Sequence, residues 1–250
     1  MPRSRLRAME AILTILCPVL FVALLVLERI FPARQLPKVR FWLVKGILFF
    51  FVSGAVGAML PVIANKIVGT HALFDLRGLG MVGGAIVAYI VADLFGYAAH
   101  RFLHNVPFIW RYTHQMHHSA ERIDVATANY SHPLDILVMG TPPLLAVSLL
   151  GVSAEAAALV GFLNFAIQTF QHVNMRTPRW VGWIVQRPEA HAVHHARGVH
   201  AYNYGTLALW DLVFGTYRNP TAFGVDPAGF WDGASTRIGA MLIGRDVSEP

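Results

Sequence analysis

Residues 79–104 read LGMVGGAIVAYIVADLFGYAAHRFLH, and their reading decides the fold. From Leu79 to Ala99 the only charge is Asp93. About 20 such residues cross a bilayer core as a helix, so Leu79–Ala99 is a membrane segment. Gly80, Gly83 and Gly84 soften it, and small residues of this kind let helices approach closely. The helix then runs on into His100-Arg101-Phe102-Leu103-His104. A spacing of four puts both imidazoles on one helical face, a turn apart. Asp93 and Tyr97, seven and three residues before His100, share that face.

The rest of the chain agrees with a membrane reading. Of 250 residues, 55 % are hydrophobic and 14 % charged, and the mean hydropathy of +0.50 does not describe a soluble globule. Further apolar segments run over 10–31, 41–64, 134–150 and 154–171. Pro18 is expected to kink the segment over 10–31, and Gly140, Pro142 and Pro143 the segment over 134–150. The last two segments are separated only by Gly151, Val152 and Ser153, and read as a helical hairpin that dips into the membrane. Arg3, Arg5 and Arg7 look like the start of a signal peptide, but the apolar run is long and no small-x-small site closes it, so an uncleaved anchor is expected. Arg29, Arg34, Lys38, Arg40 and Lys45 outnumber those three arginines, which puts the first connecting loop, and with it His100, on the cytoplasmic side. The net charge of +6 comes without a basic run interleaved with aromatics, which argues against nucleic acid as a partner.

The expected fold class is therefore all-α, a polytopic membrane helical bundle of about four or five segments with a histidine-rich cytosolic cap. Trp110, Trp180, Trp183 and Trp210 suit the membrane interface, and Asn203, Tyr204 and Trp210 are expected to shape the cap. Residues 1–78 read as anchor helices, 79–220 as the domain that carries the chemistry, and 221–250 as a Gly-rich tail uninformative about chemistry.

Twelve histidines and one cysteine, Cys17, bound that chemistry. A lone thiol excludes a disulfide framework and any zinc-ribbon or iron-sulfur site, so a metal must be held by nitrogen or oxygen. Only His71 lies outside His100–His200, in a loop with no expected role. His114-Gln115-Met116-His117-His118 and His191-Ala192-Val193-His194-His195 are two copies of His-x2-His-His. Offsets of three and four align each first histidine with the following pair, and Pro188 and Glu189 suit a helix N-terminus.

Eight imidazoles exceed what one ion accepts while leaving a position for substrate, so two metal ions are expected. Asn164, Gln168 and His172 recur every four residues on an apolar helix. Such a stripe at membrane depth faces an interior site, adding His172 as a ninth ligand and Gln168 as a tenth or as a group beside the ligands. His200 is expected beside the ligands. Asp93 and Asp211 are candidates to accept free imidazole N–H groups and fix tautomers, with capping or salt bridging as the alternative. Imidazole suits iron, copper, zinc and nickel. None of the six glutamates has a histidine three residues on, as soluble di-iron carboxylate bundles require, and no His-Glu-x2-His motif is present. The best fit is a histidine-rich di-iron site that activates oxygen beside a lipid.

In that order on a membrane chain, His100-x3-His104, His114-x2-His117-His118 and His191-x2-His194-His195 resemble the fatty acid hydroxylase / sterol desaturase superfamily of membrane di-iron oxygenases. Ser119, Ser131-His132-Pro133-Leu134-Asp135, Phe170-Gln171-His172-Val173-Asn174, Asn203-Tyr204-Gly205 and Trp210-Asp211-Leu212-Val213-Phe214-Gly215-Thr216 add to the likeness, which covers roughly residues 85 to 220. It implies two iron ions, O2 as co-substrate, and hydroxylation or desaturation of a C–H bond in a lipid such as a fatty acyl or sterol-like molecule. Where some relatives have His-x3-His before the last cluster, this chain has Gln168-x3-His172. Either an amide or water fills that position or His132 completes the set, which makes His132 and Gln168 candidate catalytic residues. No His-Pro-Gly-Gly haem signature occurs, so the electron donor is expected to be a separate protein, of cytochrome b5 or ferredoxin type with its reductase. Two rivals are weaker. A histidine-rich metal transporter would want ligands at the membrane midplane, and a bis-histidine haem carrier leaves the His-His pairs unexplained.

Overall fold

The computed structural model describes residues 3–68 and 72–250, so His71 lies outside the described residues. Eleven α-helices follow in order: α1 (Arg3–Ile30), α2 (Trp42–Gly57), α3 (Leu60–Val68), α4 (Gly80–Asn105), α5 (Pro107–Tyr112), α6 (Gln115–His118), α7 (Pro133–Leu150), α8 (Ala154–Phe170), α9 (Pro188–His194), α10 (Ala208–Val213) and α11 (Ile238–Leu242). Among the described residues there is no strand, only isolated bridges pairing Val185 with Leu207 and Ala196 with Ala228. Among the described residues, four stretches are long and apolar enough to cross a membrane: Leu6–Ile30, Trp42–Ile67, Arg77–Asn105 and Pro133–Leu150. The protein is an all-helical integral membrane protein. At 17 residues α8 is shorter, about 25 Å against a core of about 30 Å.

Local chemistry sets the helix limits. The second span is interrupted at Ala58 and Met59, because Pro61 has no N–H to offer the Gly57 carbonyl. The prolines expected to kink their helices do not interrupt them: α1 runs through Pro18 and α7 through Pro142 and Pro143. At the hairpin, α7 ends on Gly151 with φ of 60°, the left-handed geometry that favours glycine. Ser153 then caps α8 by accepting from the Ala156 N–H at 3.2 Å.

The central α4 packs on α7 and α8, with α1 against α8 and α2 and α3 against α7. Of the three glycines near the start of α4, only Gly84 serves a close approach: a Cβ there would lie 3.1 Å from the Ala156 methyl of α8. The ends of α1, α4 and α8 and the starts of α2 and α7 gather at one end of the bundle. There Ala33 N–H donates to Asn174 O at 2.8 Å and Trp42 Nε1 to Asp124 at 2.9 Å.

The tail is an integral part of that end. Met241 and Val247 share a buried cluster with Trp42 and Phe49 of α2 and with Met116, Ala120, Ala126 and Tyr130. Glu121 accepts from the Gly233 and Ser235 N–H groups, at 2.8 and 3.0 Å. Gln115 donates to Arg245 O at 2.8 Å, and Tyr130 OH to Ser235 O at 2.7 Å. The core thus crosses both sequence boundaries, near 78 and near 220. Scattered apolar residues in a Gly-rich stretch carry no periodicity that would reveal this.

Candidate metal centre

The histidines converge where the helices of the cap meet the bundle. Two groups form, each with its donor atoms within 4.8 Å of one another: His100, His104, His114, His118 and His194, and His117, His172, His191 and His195. The first draws on α4, the α5–α6 corner and α9; the second on α6, the turn after α8, and α9 with its C-cap. They abut, since the His118 and His195 rings stack at 4.2 Å and 17°.

Each box divides between the groups. His114 and His118 join the first group while His117 joins the second; His191 and His195 join the second while His194 joins the first. The i,i+4 pair stays together and the i+3 residue crosses over. At about 100° per residue, adjacent histidines diverge by about 100° and an i,i+4 pair by only about 40°. The single shared face expected from the spacing is therefore two faces.

Hydrogen bonds on the outer ring nitrogens establish what the inner ones can do. Nδ1 of His100 donates to Tyr204 O (2.8 Å), of His194 to Tyr202 O (2.7 Å), of His172 to Gln168 O (2.7 Å) and of His117 to Tyr130 O (3.4 Å). His114 Nδ1 donates to the Asp135 carboxylate at 3.0 Å. A carbonyl or carboxylate only accepts, so each Nδ1 carries the proton, and each neutral ring presents a bare Nε2 lone pair inward. Yet His100 Nε2 lies 3.0 Å from His114 Nε2, and His172 Nε2 lies 3.2 Å from His117 Nε2. Two lone pairs at hydrogen-bond distance repel unless a cation lies between them. Nitrogens bound at about 2.1 Å to one metal ion stand about 3.0 Å apart at octahedral right angles. Nε2 of His104, His118 and His194 is likewise buried without a partner. The donor set fits two metal ions.

Burial keeps these rings neutral. It pushes His117, His118, His191, His194 and His195 well below the usual histidine range, with neighbouring imidazoles adding to the effect. Burial likewise pushes His172 and His200 each down to about 4. Neutral imidazole is the metal-binding form.

Several residues singled out in the sequence have other work. His132 caps α7, its Nδ1 accepting from Leu134 N–H at 3.0 Å and its Nε2 donating to Leu242 O at 3.3 Å, so neither nitrogen is free for a metal. The Gln168 side chain donates to Asn164 Oδ1 at 3.3 Å, and only its main-chain carbonyl serves the site, by holding His172. Asp93 and Asp211 reach no imidazole. Asp93 accepts from the Thr206 N–H and hydroxyl and from Leu207 N–H, at 2.8, 2.6 and 3.1 Å. Asp211 accepts from Tyr204 N–H, Gly205 N–H, Gln186 and Thr216. Burial pushes the Asp211 carboxyl up, against the pull of these bonds. Together they fix the loop whose carbonyls hold His100 and His194. His200 stands beside the first group, its Nδ1 3.0 Å from His118 Nδ1. Sequence reasoning missed Asp135; its signal is a lone carboxylate in the first turn of an apolar, Pro-started helix.

The sequence model of the fatty acid hydroxylase family matches residues 85–216, a stretch that contains all the clustered histidines. The chain belongs to the fatty acid hydroxylase family. Among curated members, ornithine lipid hydroxylase OlsE of Rhizobium tropici is 29 % identical over 68 % of this chain and 53 % of its own length. Very-long-chain aldehyde decarbonylase GL1-9 of Oryza sativa subsp. indica is 30 % identical over 53 % of each chain. Sphinganine C4-monooxygenase 1 of Arabidopsis thaliana is 27 % identical over 70 % of this chain and 69 % of its own. The chain thus spans about half the length of the first two. No solved structure matches it.

Proposed function

We propose that this fatty acid hydroxylase family member is a membrane oxidoreductase that uses two iron ions and O2 to hydroxylate a C–H bond of a long-chain lipid. The observation that carries the reading is the inward lone pairs of His100 and His114, and of His172 and His117, facing one another at 3.0 and 3.2 Å in two abutting all-imidazole groups. His100, His104, His114, His118 and His194 would hold one iron, and His117, His172, His191 and His195 the other. Bound there, iron supplies the redox chemistry that activates O2 and oxidises the C–H bond. One oxygen atom enters the C–H bond and the other leaves as water, with two electrons from a separate donor protein and two protons from solvent.

The protein's own part is positional. The outer Nδ1 protons on Tyr204, Tyr202, Gln168 and Tyr130 carbonyls and on Asp135 hold the rings in one tautomer and aim Nε2 inward. Burial keeps water from the site, and α4, α7 and α8 orient the acyl chain. Hydroxylation is favoured over desaturation because two of the three relatives are named as a hydroxylase and a monooxygenase. The basic loop after α1 supports a cytoplasmic position for the cap. A metal transporter is disfavoured, since both donor groups sit at the cap end and not along a path through the bundle.

The test is metal analysis of the purified protein with a reconstituted assay on membrane lipids under labelled oxygen. Two irons per chain, no haem absorbance and a lipid product gaining one labelled oxygen are expected. His194→Ala should remove iron from the first group and abolish turnover. Haem absorbance, no bound iron, or turnover retained in His194→Ala refutes the reading.

A further inference from the structure

Outside the histidine groups, a hollow of about 340 Å³ lies where α1 ends against the cap, lined in part by Glu28, Arg29, Arg34, Arg122, Asp124 and Asn174. Its charges are unequally satisfied. Glu28 is buried and spent on the protein, accepting from the Val125 and Asn174 N–H groups at 3.0 and 3.1 Å. Asp124 is spent on Trp42 Nε1, on Thr127 and on Arg122, whose Nε lies 2.7 Å away. Arg122 is thereby neutralised, and it also donates to Pro37 O.

The other two guanidinium groups have no anion among the described residues. Arg29 has no ion-pair partner among the described residues. Arg34 lies over the Phe223 ring, 4.6 Å from its centroid, and its Nε is buried with no partner. A buried unpaired donor is costly, and planar guanidinium groups match the several acceptor oxygens of a phosphate. Burial also lowers the Arg34 pKa.

We propose that this hollow binds the phosphate of an anionic phospholipid headgroup, with Arg29 and Arg34 as its cations. Position selects a lipid over a free anion. The first membrane span ends at Ile30, so both arginines stand at headgroup level, where basic pockets between helices hold anionic lipids. Val26, Leu27 and Ile30 of α1 and Phe31 just past its end are exposed beside the hollow, a rail for the acyl chains. Asn174 lies two residues after His172 and donates to Arg34 O at 2.7 Å. An occupied hollow therefore braces the segment that carries one of the clustered histidines.

The test is native mass spectrometry of the full chain in neutral detergent, titrated in parallel with phosphatidylglycerol, phosphatidylcholine and inorganic phosphate. One phosphatidylglycerol is retained in preference to phosphatidylcholine, and millimolar inorganic phosphate does not displace it. Arg29→Gln with Arg34→Gln weakens that binding by about 30-fold, at about 1 kcal/mol per arginine near the surface. Lys66→Gln, near the end of α3 away from the cap, leaves it unchanged. Should the double variant not fold, Arg29→Gln alone, an exposed side chain with no ion pair, carries the test at about fivefold. Equal retention of the two lipids, displacement by inorganic phosphate, or unaltered binding in the arginine variants overturns the proposal.

Discussion

Asp135 offers the sharpest test of the divided centre. Its carboxylate accepts from His114 Nδ1 at 3.0 Å, with both side chains buried, at 6 % and 4 % exposed. Hydrogen bonds to a charged group contribute roughly 1.5–3 kcal/mol net. Removing the partner of a metal-bound histidine costs about 10- to 100-fold in metal affinity, or about 1.4 to 2.7 kcal/mol. Asp135→Ala should therefore weaken the first group by that factor. Asp135→Asn keeps an acceptor oxygen but loses the charge, and should fall between it and the wild type. The second group, none of whose rings bonds to Asp135, should be unaffected. Chelator titration of the iron-loaded protein, followed by counting irons per chain, should show one of the two losses move to about 10- to 100-fold less chelator in Asp135→Ala while the other stays where the wild type has it. Thermal unfolding of the metal-free protein separates this from a general loss of stability at the start of α7. Unchanged affinity at both positions, or equal weakening of both, would refute the assignment of Asp135 to the first group.

Three further outcomes follow from the same contacts. His132→Ala should leave iron content and turnover intact and lower stability by about 1 kcal/mol for the lost cap, measured by thermal unfolding; lost iron would return His132 to the site. Asp211→Ala strands the Tyr204 and Gly205 N–H groups, at about 1–3 kcal/mol each, so the unfolding temperature should fall, and iron should leave the first group before the second because the loop that holds His100 and His194 loosens. Deleting residues 221–250 uncovers Met116, Ala120 and Tyr130 and frees Gln115 and Glu121, so the truncated chain should bind neither iron; two irons bound would show the tail to be dispensable.

Much of the architecture was legible because membrane segments and metal boxes obey short-range rules. Apolar length marks the spans, and the spacing of His100 and His104, or of His114 and His118, marks a helical face. What was not legible depends on contacts between distant residues. Nothing in the spacing says that Asp93 and Asp211 serve main-chain N–H groups, leaving carbonyls to fix the imidazoles. His132 looked like a ligand because a histidine beside the boxes invites that reading, whereas Pro133 at the first helical position signals a cap. Gln168 lies on the right stripe of α8, but its side chain turns to Asn164 one turn back, and only its carbonyl reaches the site.

The crossed membership of the boxes has a consequence for how the centre fails. Because α6 lends His118 to one group and His117 to the other, and α9 lends His194 and His191 likewise, the two groups do not fold as independent modules. A rotation of α6 by about 100°, one residue of helical phase, would exchange the directions of His117 and His118 and damage both groups at once. The tail opposes that rotation: Gln115 bonds Arg245 O and Val247 N–H, and Met116 is fully buried in the cluster with Met241 and Val247. Single outer contacts such as Asp135 are thus expected to affect one group, whereas changes to the phase of α6 or α9 affect both. The His-His pairs couple the two groups because neighbouring residues on a helix cannot face the same way.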